Sequence, residues 1–170
     1  MSMILNLVRI PGPLGEELLS NPASIRTVIY PGYEGNNPAV SKDDQVDLDK
    51  GWHALHFLFT GTAWEGEFPA AFLVFGGTQV GEVDVGYGPA RHFDAAATAQ
   101  IDDYLQSLDE TELQGRLDPE EMTDLEIYPE IWDDENIEEE WEYVRQHFRQ
   151  LKEFVHETTA TGKALLVYCR

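Results

Sequence analysis

The feature that most constrains the fold is a long stripe of apolar residues near the C-terminal end of the sequence. Its members are separated by 4, 3, 4, 3 and 4 positions: Ile137, Trp141, Val144, Phe148, Leu151 and Val155. Side chains three and four positions apart lie on the same face of an α-helix. The spacing therefore predicts one amphipathic helix over residues 136–159, whose apolar face has to pack against another layer of structure.

Apolar runs at both ends of the chain predict two strands that meet in one sheet. Residues 3–10 are rich in β-branched and aliphatic side chains and end at a Pro-Gly-Pro turn, and residues 164–169 form a second apolar run. We expect a single α+β domain over residues 1–170, with a small mixed sheet that includes both terminal strands. Several helices should cover this sheet, and the C-terminal amphipathic helix is the longest of them.

Weaker local patterns predict the remaining elements. Residues 14–19 and 69–75 indicate short helices, residues 27–30 indicate a short strand, and residues 31–38 have the composition of an exposed loop. Residues that commonly cap helices stand at three further positions, each of which should begin a helix: Asp94, Asp109 and Asp118.

The charge of the chain limits the partners that it can bind. The formal net charge is −21, from 32 acidic and 11 basic residues among 170. A field of this sign repels phosphate groups, so we expect no direct binding to nucleic acid or to anionic membranes. Residues 102–170 hold 20 of the acidic residues and 6 of the basic ones. This acidic half is either a solvated surface that keeps the protein soluble or a docking face for a basic protein partner.

The cysteine content and the first residues bear on the compartment. The single cysteine, Cys169, excludes an intramolecular disulfide, and its apolar surroundings in the sequence favour a buried, unreactive thiol. The first ten residues have no basic region before their apolar stretch, which is too short for a signal peptide or a membrane span. We therefore expect a cytoplasmic protein.

Residues 47–61 concentrate ionisable groups beside an apolar helix face. At about 100° per residue, Trp52, Leu55 and Phe59 share one face of a helix, with His56 at its edge. Asp47 or Asp49 is placed to cap the start of this helix, and Gly61 to end it.

One hypothesis for this helix is a metal site. Asp49, His53 and His56 lie at positions i, i+4 and i+7, and two imidazoles with a carboxylate are a common ligand set for zinc or iron. Such sites usually take ligands from several elements, and nothing in the sequence indicates the supporting hydrogen bonds that they need. We therefore expect no metal. Instead, we expect His56 to lie at the edge of the core with its ring nitrogens hydrogen-bonded, and His53 and Asp49 to be solvated.

A second candidate is the pair Arg91-His92, which follows a Gly-x-Gly-Pro turn. Arg91 in this place could hold a carboxylate or phosphate through two N–H groups, and His92 could act as an acid or base near neutral pH. The alternative for Arg91 is an ordinary surface ion pair. The chain has no phosphate-binding loop, dinucleotide motif or nucleophile elbow, so we expect no cofactor.

Three blocks of the sequence resemble the YfbM-like family (domain of unknown function 1877). They are Trp-x-x-Leu-His-x-x-x-Thr-Gly at residues 52–61, Gly-Pro-Ala-Arg at residues 88–91, and Ile-Tyr-Pro with a following Trp at residues 127–132. The resemblance covers nearly the whole chain and implies a single bacterial α+β domain with no assigned activity. His56 matches the family pattern and His53 does not, which counts against the three-ligand metal site.

Two functions from different classes remain open. The first is a non-enzymatic bacterial protein-interaction domain in the cytoplasm, whose acidic surface meets a basic protein partner; an immunity-like or antitoxin-like role is one version of it. The alternative is a small-ligand-binding protein or an enzyme, with His56 or His92 as acid or base and Arg91 as anion clamp. Its pocket would be lined by six residues: Trp52, His56, Tyr87, Arg91, His92 and Tyr128.

Overall fold

Both ends of the chain meet in the middle of one antiparallel sheet. The computed structural model describes residues 2–30, 32, 35 and 37–170, and within them the sheet has five strands in the order β2-β1-β5-β4-β3. The strands are β1 (Leu5–Ile10), β2 (Gln45–Asp47), β3 (Thr78–Asp84), β4 (Pro89–Phe93) and β5 (Ala164–Cys169). β1 and β5 pair along their whole length, from Leu5 opposite Cys169 to Ile10 opposite Ala164.

Helices cover both faces of the sheet. They are α1 (Gly12–Ser20), α2 (Arg26–Ile29), α3 (Trp52–Thr60), α4 (Ala95–Ser107), α5 (Glu110–Gly115), α6 (Pro119–Asp124) and α7 (Ile137–Ala160). One face of the sheet, which carries Leu7 and Val167, packs against α3, α4 and α7. The other face, which carries Val8 and Leu166, packs against α1 and α2. Among the described residues, no helix combines the length and the apolar character that crossing a bilayer requires.

The α+β fold predicted from the sequence is confirmed. α7 runs for 24 residues, and its stripe from Trp141 to Val155 is buried. The predicted caps also form: the side chains of Asp94, Asp109 and Asp118 each accept a hydrogen bond from a backbone N–H in the first turn of α4, α5 and α6. Where a mixed sheet was expected, every strand pairing among the described residues is antiparallel.

Three local predictions are wrong. The expected strand at residues 27–30 is helical, because Ile25, Val28 and Ile29 are spaced to bury their side chains on one helix face. Residues 69–75 form successive turns instead of a helix, and two of their carbonyl groups accept hydrogen bonds from Arg91.

The third concerns the start of α3, which follows Gly51 without a side-chain cap. Asp47 accepts a hydrogen bond from the backbone N–H of Asp49 instead, and Asp49 accepts one from the hydroxyl of Tyr143. The end of this helix is as predicted, since Gly61 adopts a φ of 72° at its C-cap. Four residues of the predicted loop at 31–38 lie outside the described residues: Pro31, Tyr33, Glu34 and Asn36.

Candidate functional site

A pocket of about 190 Å³ opens between one end of the sheet and the start of α3. The sheet contributes Leu5, Arg91, Val167 and Cys169 to its wall, from three different strands. Three aromatic side chains also line it: Trp52 from α3, Trp64 from the segment after α3, and Tyr87 from the turn between β3 and β4. Residues from both ends and the middle of the chain therefore meet here because β1 and β5 are neighbours in the sheet.

Trp52 and Tyr128 hold the edge of this pocket in place. The indole N–H of Trp52 donates to the carbonyl of Met3 (3.0 Å), and the hydroxyl of Tyr128 accepts from the N–H of the same residue (3.2 Å). The two rings are stacked, with centroids 6.2 Å apart. Trp52 lines the pocket directly, whereas Tyr128 acts through Met3 and Trp52.

Two aromatic side chains at the pocket are about half exposed. Trp64 is 49% exposed and Tyr87 is 43% exposed, although both are large and apolar. The ring of Trp64 lies 4.3 Å from that of His53 and 6.0 Å from that of Trp52, measured between centroids. Exposed aromatic rings beside a concave site provide contact area for a ligand.

Arg91 is the charged group of the pocket. Its Nη1 donates to the carbonyls of Phe72 (2.9 Å) and Gly76 (3.2 Å), and its Nη2 donates to that of Leu73 (2.7 Å). Burial lowers its pKa to about 10, so the guanidinium stays charged at neutral pH. None of the ion pairs among the described residues includes Arg91. The group is thus fixed by neutral acceptors and faces the pocket without a carboxylate.

His53 is a structural residue. Its Nδ1 accepts a hydrogen bond from the N–H of Tyr128 (2.9 Å), so the ring proton lies on Nε2, which donates to the carbonyl of Ala63 (2.7 Å). The side chain is fully buried, and this burial lowers its pKa. The expectation that His53 is solvated is wrong, since residues 61–66 fold over the outer side of α3. With both ring nitrogens bonded to backbone, His53 has no lone pair left for a metal.

His56 is enclosed behind the pocket. Its exposed fraction is 0%, and neither ring nitrogen has a hydrogen-bond partner among the described residues, so the expectation of a hydrogen-bonded ring at the core edge is wrong. Burial lowers the pKa of His56 to about 4; the positive charge that His53 or Arg91 can carry acts in the same direction, and the nearby backbone of Glu65, which does not reach hydrogen-bond geometry, acts against them. The ring is therefore neutral at pH 7. It lies in the same cluster of rings as His53 (centroids 6.5 Å apart) and is absent from the pocket wall.

His92 lies on the opposite face of the sheet from Arg91. Arg91 pairs with Val167 and His92 with Leu166, and successive residues of a strand point to opposite faces. His92 is buried against α1, where a Cβ added to Gly15 would lie 2.3 Å from its Nε2, and it lines a separate groove with Glu16 and other residues. Burial lowers its pKa. The structure therefore separates Arg91 from His92, which are neighbours in the sequence.

The remaining groups of the site do not form a metal centre. Asp49 accepts a hydrogen bond from the hydroxyl of Tyr143 (2.8 Å), and both ring nitrogens of His53 are bonded to backbone groups. Within the part of the chain that the structure describes, no three histidine, cysteine or acidic residues form a group that could hold a metal ion.

Most of the pocket's lining was not predicted to belong to the site, including Met3, Trp64 and Cys169. No local pattern marks them, because each is brought in by tertiary structure. Burial raises the pKa of the Cys169 thiol to about 11, as an unreactive cysteine requires, but the side chain is half-buried and lines the pocket where the sequence predicts a buried one.

Comparisons with known proteins give a family and a fold. Residues 1–168 match the model of the family described as Domain of unknown function (DUF1877). The chain is also similar to a crystal structure of a protein of unknown function, YfbM from Escherichia coli, with a TM-score of 0.76 and 22% identity over 98% of this chain and 99% of that chain. At that identity the similarity concerns the fold alone. No curated protein matches the chain.

Proposed function

We propose that this chain, which belongs to the DUF1877 family as its three sequence blocks predicted, binds a small organic carboxylate at Arg91. The family's description names no activity, so the proposal is argued from the pocket itself. The observation that carries this proposal is a fixed, half-buried guanidinium without a carboxylate partner among the described residues, in a chain with 32 acidic residues.

The missing counter-charge supports an anionic ligand. A partly buried cation is costly unless an anion lies beside it, and backbone carbonyls orient the guanidinium without neutralising it. With so many carboxylates in the sequence, an ordinary surface arginine would pair with one, as Arg9 and Arg149 do. Arg91 instead presents its charge to the pocket.

The remaining hydrogen-bond donors of Arg91 favour a carboxylate group. A guanidinium carries five N–H donors, and the three carbonyl contacts of Arg91 come from Nη1 and Nη2. Its Nε makes no hydrogen bond to a described residue and leaves one edge of the group available. The planar, two-oxygen geometry of a carboxylate matches such an edge.

The pocket walls and volume define the rest of the ligand. Trp52, Trp64 and Tyr87 offer flat apolar surface, which favours a ring or a short hydrocarbon body. An apolar cavity of about 150 Å³ accommodates benzene. The volume of about 190 Å³ here is therefore suited to a ligand with one ring and a carboxylate.

Calorimetric titration with benzoate, phenylacetate, benzamide and inorganic phosphate tests the proposal. We expect the two carboxylates to bind more tightly than the neutral amide, and Arg91→Gln to weaken their binding by about tenfold or more, as loss of a charge-assisted hydrogen bond does. Arg149→Gln, which removes the same charge from an exposed ion pair, should leave binding unchanged. Equal effects of the two substitutions, or equal binding of benzamide and benzoate, would contradict the proposal.

A second variant keeps the proposal testable if Arg91→Gln misfolds. Misfolding is a risk because Arg91 also ties residues 72–76 to the sheet. Trp64 is half-exposed, so Trp64→Ala should leave the fold intact while removing a wall of the pocket. We expect it to weaken carboxylate binding severalfold. If neither variant changes the affinity of a carboxylate that binds the wild type, the ligand lies elsewhere.

The second proposal is the one predicted first from the sequence, a cytoplasmic interaction domain that docks a basic protein partner. Residues 118–142 contain 13 acidic residues and no Lys, Arg or His, and 11 of these carboxylates are exposed. Ile131 lies within this acidic segment with 58% of its surface exposed. Charge of one sign favours a partner of the opposite sign, and an exposed apolar side chain among the charges adds contact area; an immunity-like inhibitor of a basic protein is one version of the idea.

Binding to a nona-arginine peptide at 50 and 150 mM salt, followed by fluorescence anisotropy, tests this second function. Neutralising four exposed acids of the segment (Glu120, Glu121, Asp134 and Glu138) should weaken binding more than neutralising four exposed acids elsewhere (Glu16, Glu17, Glu67 and Glu153). An equal loss in the two fourfold variants would mean that only total charge matters, and no interaction surface would be assigned.

A further inference from the structure

A groove of about 290 Å³ lies within the acidic segment, between the loop that precedes α7 and the first turns of that helix. It is lined by Ile131, Trp132, Asn136, Glu139, Glu140 and Tyr143. The groove is separate from the pocket at Arg91 and shares no lining residue with it.

Glu140 is the unusual residue of this groove. It is a carboxylate with only 7% of its surface exposed, although the acids around it in the sequence are in solvent. Its Oε1 accepts a hydrogen bond from the N–H of Asp133 (3.0 Å), while its Oε2 is buried without a hydrogen-bond partner among the described residues. A buried carboxylate oxygen without a donor is unfavourable, and such groups in native proteins normally have a partner.

The part of the chain that the structure describes does not supply that partner. None of its ion pairs includes Glu140, and the segment at 118–142 contains no basic residue. Burial raises the pKa of Glu140, and the nearby negative charges of Asp133 and Asp134 act in the same direction against the hydrogen bond from the Asp133 amide. Glu140 therefore stands in a negative field that a cation would relieve.

The walls of the groove suit a cation with a flat shape. The indole N–H of Trp132 donates to the carbonyl of Ile127 (2.7 Å), and the hydroxyl of Tyr143 donates to Asp49 (2.8 Å). Their polar atoms are thus already bonded, and the rings contribute aromatic surface. Aromatic rings beside a carboxylate attract guanidinium groups, which stack on ring faces and hydrogen-bond in their own plane.

The rim of the groove fits the rest of an arginine side chain. Ile131 is exposed and can cover methylene groups, and Glu139 provides a second carboxylate in solvent. An ammonium group needs acceptors on three sides, whereas the lining of this groove combines one buried carboxylate, Glu140, with aromatic walls. We propose that the groove receives an arginine side chain of a basic protein partner, with the guanidinium hydrogen-bonded to Glu140 and flanked by Trp132 and Tyr143.

This assignment rests on the second proposed function, and the test separates the two. The probes are the pentapeptides acetyl-Gly-Gly-Arg-Gly-Gly-amide and its lysine counterpart, titrated into ¹⁵N-labelled protein. The reporter is the backbone amide of Asp133, because its hydrogen bond to Glu140 has to respond when the other oxygen gains a donor. Nona-arginine binding, measured in parallel, reports docking as a whole.

Glu140→Gln is the test variant and Glu153→Gln the control. Glutamine keeps an Oε1 that can accept from Asp133 but carries no charge. Glu153 lies on the same helix in solvent, so its substitution changes the net charge by the same amount. We expect the arginine pentapeptide to shift the Asp133 amide in the wild type and in Glu153→Gln, and Glu140→Gln to weaken that binding by about tenfold.

Three results would contradict the inference at different levels. If Glu140→Gln and Glu153→Gln bind the arginine pentapeptide equally well, Glu140 is not part of the site, even if nona-arginine still binds. An equal response to the lysine pentapeptide removes the preference for arginine. If nona-arginine does not bind the wild type at 50 mM salt, the docking function itself is contradicted, together with this site.

Discussion

Acid should destabilise this protein through His56, and the size of the effect follows from the burial of that side chain. The ring is fully buried, has no hydrogen-bond partner among the described residues, and has a pKa of about 4 instead of its ordinary 6.5. In the unfolded chain the same ring takes up a proton near pH 6.5. Between these two pKa values the unfolded state binds a proton that the folded state does not bind, so the free energy of unfolding falls as the pH falls.

The magnitude comes from the difference between the two pKa values. Each pH unit between them removes about 1.4 kcal/mol per group. Lowering the pH from 6.5 to 4.5 therefore removes at most about 3 kcal/mol through His56 alone, which is a large part of the stability of an ordinary domain. His53 acts in the same direction, because burial lowers its pKa as well.

The assay is urea unfolding at pH 7.0, 5.5 and 4.5 for the wild type and for His56→Leu. At pH 7.0 the variant should lie within about 1.5 kcal/mol of the wild type, because an apolar residue of similar size replaces a ring that makes no hydrogen bond. As the pH falls, the wild type should lose stability faster than the variant. The many acidic residues titrate in both proteins, so the difference between the two curves isolates His56.

His156→Gln is the matched control, because its ring is exposed and its removal leaves the buried histidines in place. This variant should retain the acid-dependent loss that His56→Leu removes. If His56→Leu and the wild type lose stability in parallel down to pH 4.5, His56 takes up its proton in the folded state without penalty. The ring would then have a partner or contact solvent, and our account of its burial would be refuted.

Three further predictions concern stability and reactivity. His53→Leu leaves the N–H of Tyr128 and the carbonyl of Ala63 without partners. At about 1–3 kcal/mol for each unpaired group, urea unfolding should show a free energy of unfolding lower by about 2–6 kcal/mol. A loss below about 1 kcal/mol would mean that water replaces the ring. Gly61→Ala should lower the free energy of unfolding by about 1 kcal/mol because the C-cap has a φ of 72°, although a Cβ there meets no atom; an unchanged value would indicate that the cap relaxes. Cys169, with a pKa near 11, should react with a disulfide reagent at pH 7.5 about a hundredfold more slowly than it does in the urea-unfolded chain, and equal rates would contradict its burial.

The sheet and the long helix could be predicted because their patterns are local. The spacing of Trp141, Val144 and Phe148 is sufficient to define one face of α7, and the apolar runs at both ends are short and continuous enough to indicate buried strands. The strand predicted at residues 27–30 is wrong, although it is also based on a local pattern. Their β-branched residues favour a strand, but Ile25, Val28 and Ile29 have the spacing of a helix, and burial of that face decided the outcome.

The candidate site was harder to predict, because its residues depend on which face of an element each one occupies. The sequence presents Arg91 and His92 as a pair that follows a turn, and it predicts that both line one pocket. They belong to a strand, in which neighbours point to opposite sides, so only Arg91 reaches the pocket beside Trp52. The helical spacing predicts His56 at the edge of a core face, but α3 is buried all around because residues 61–66 cover its outer side.

The two proposed sites differ in what the surrounding charge does for them. The chain carries a large excess of carboxylates, so a groove that attracts an arginine needs only one buried oxygen, that of Glu140, to turn a general attraction into a specific one. A carboxylate ligand approaches Arg91 against the net charge of −21, and its binding has to come from the fixed guanidinium and the aromatic wall at short range. Added salt should therefore strengthen or leave unchanged the binding of benzoate while it weakens that of nona-arginine. Opposite salt dependences would distinguish the two sites in a single protein preparation.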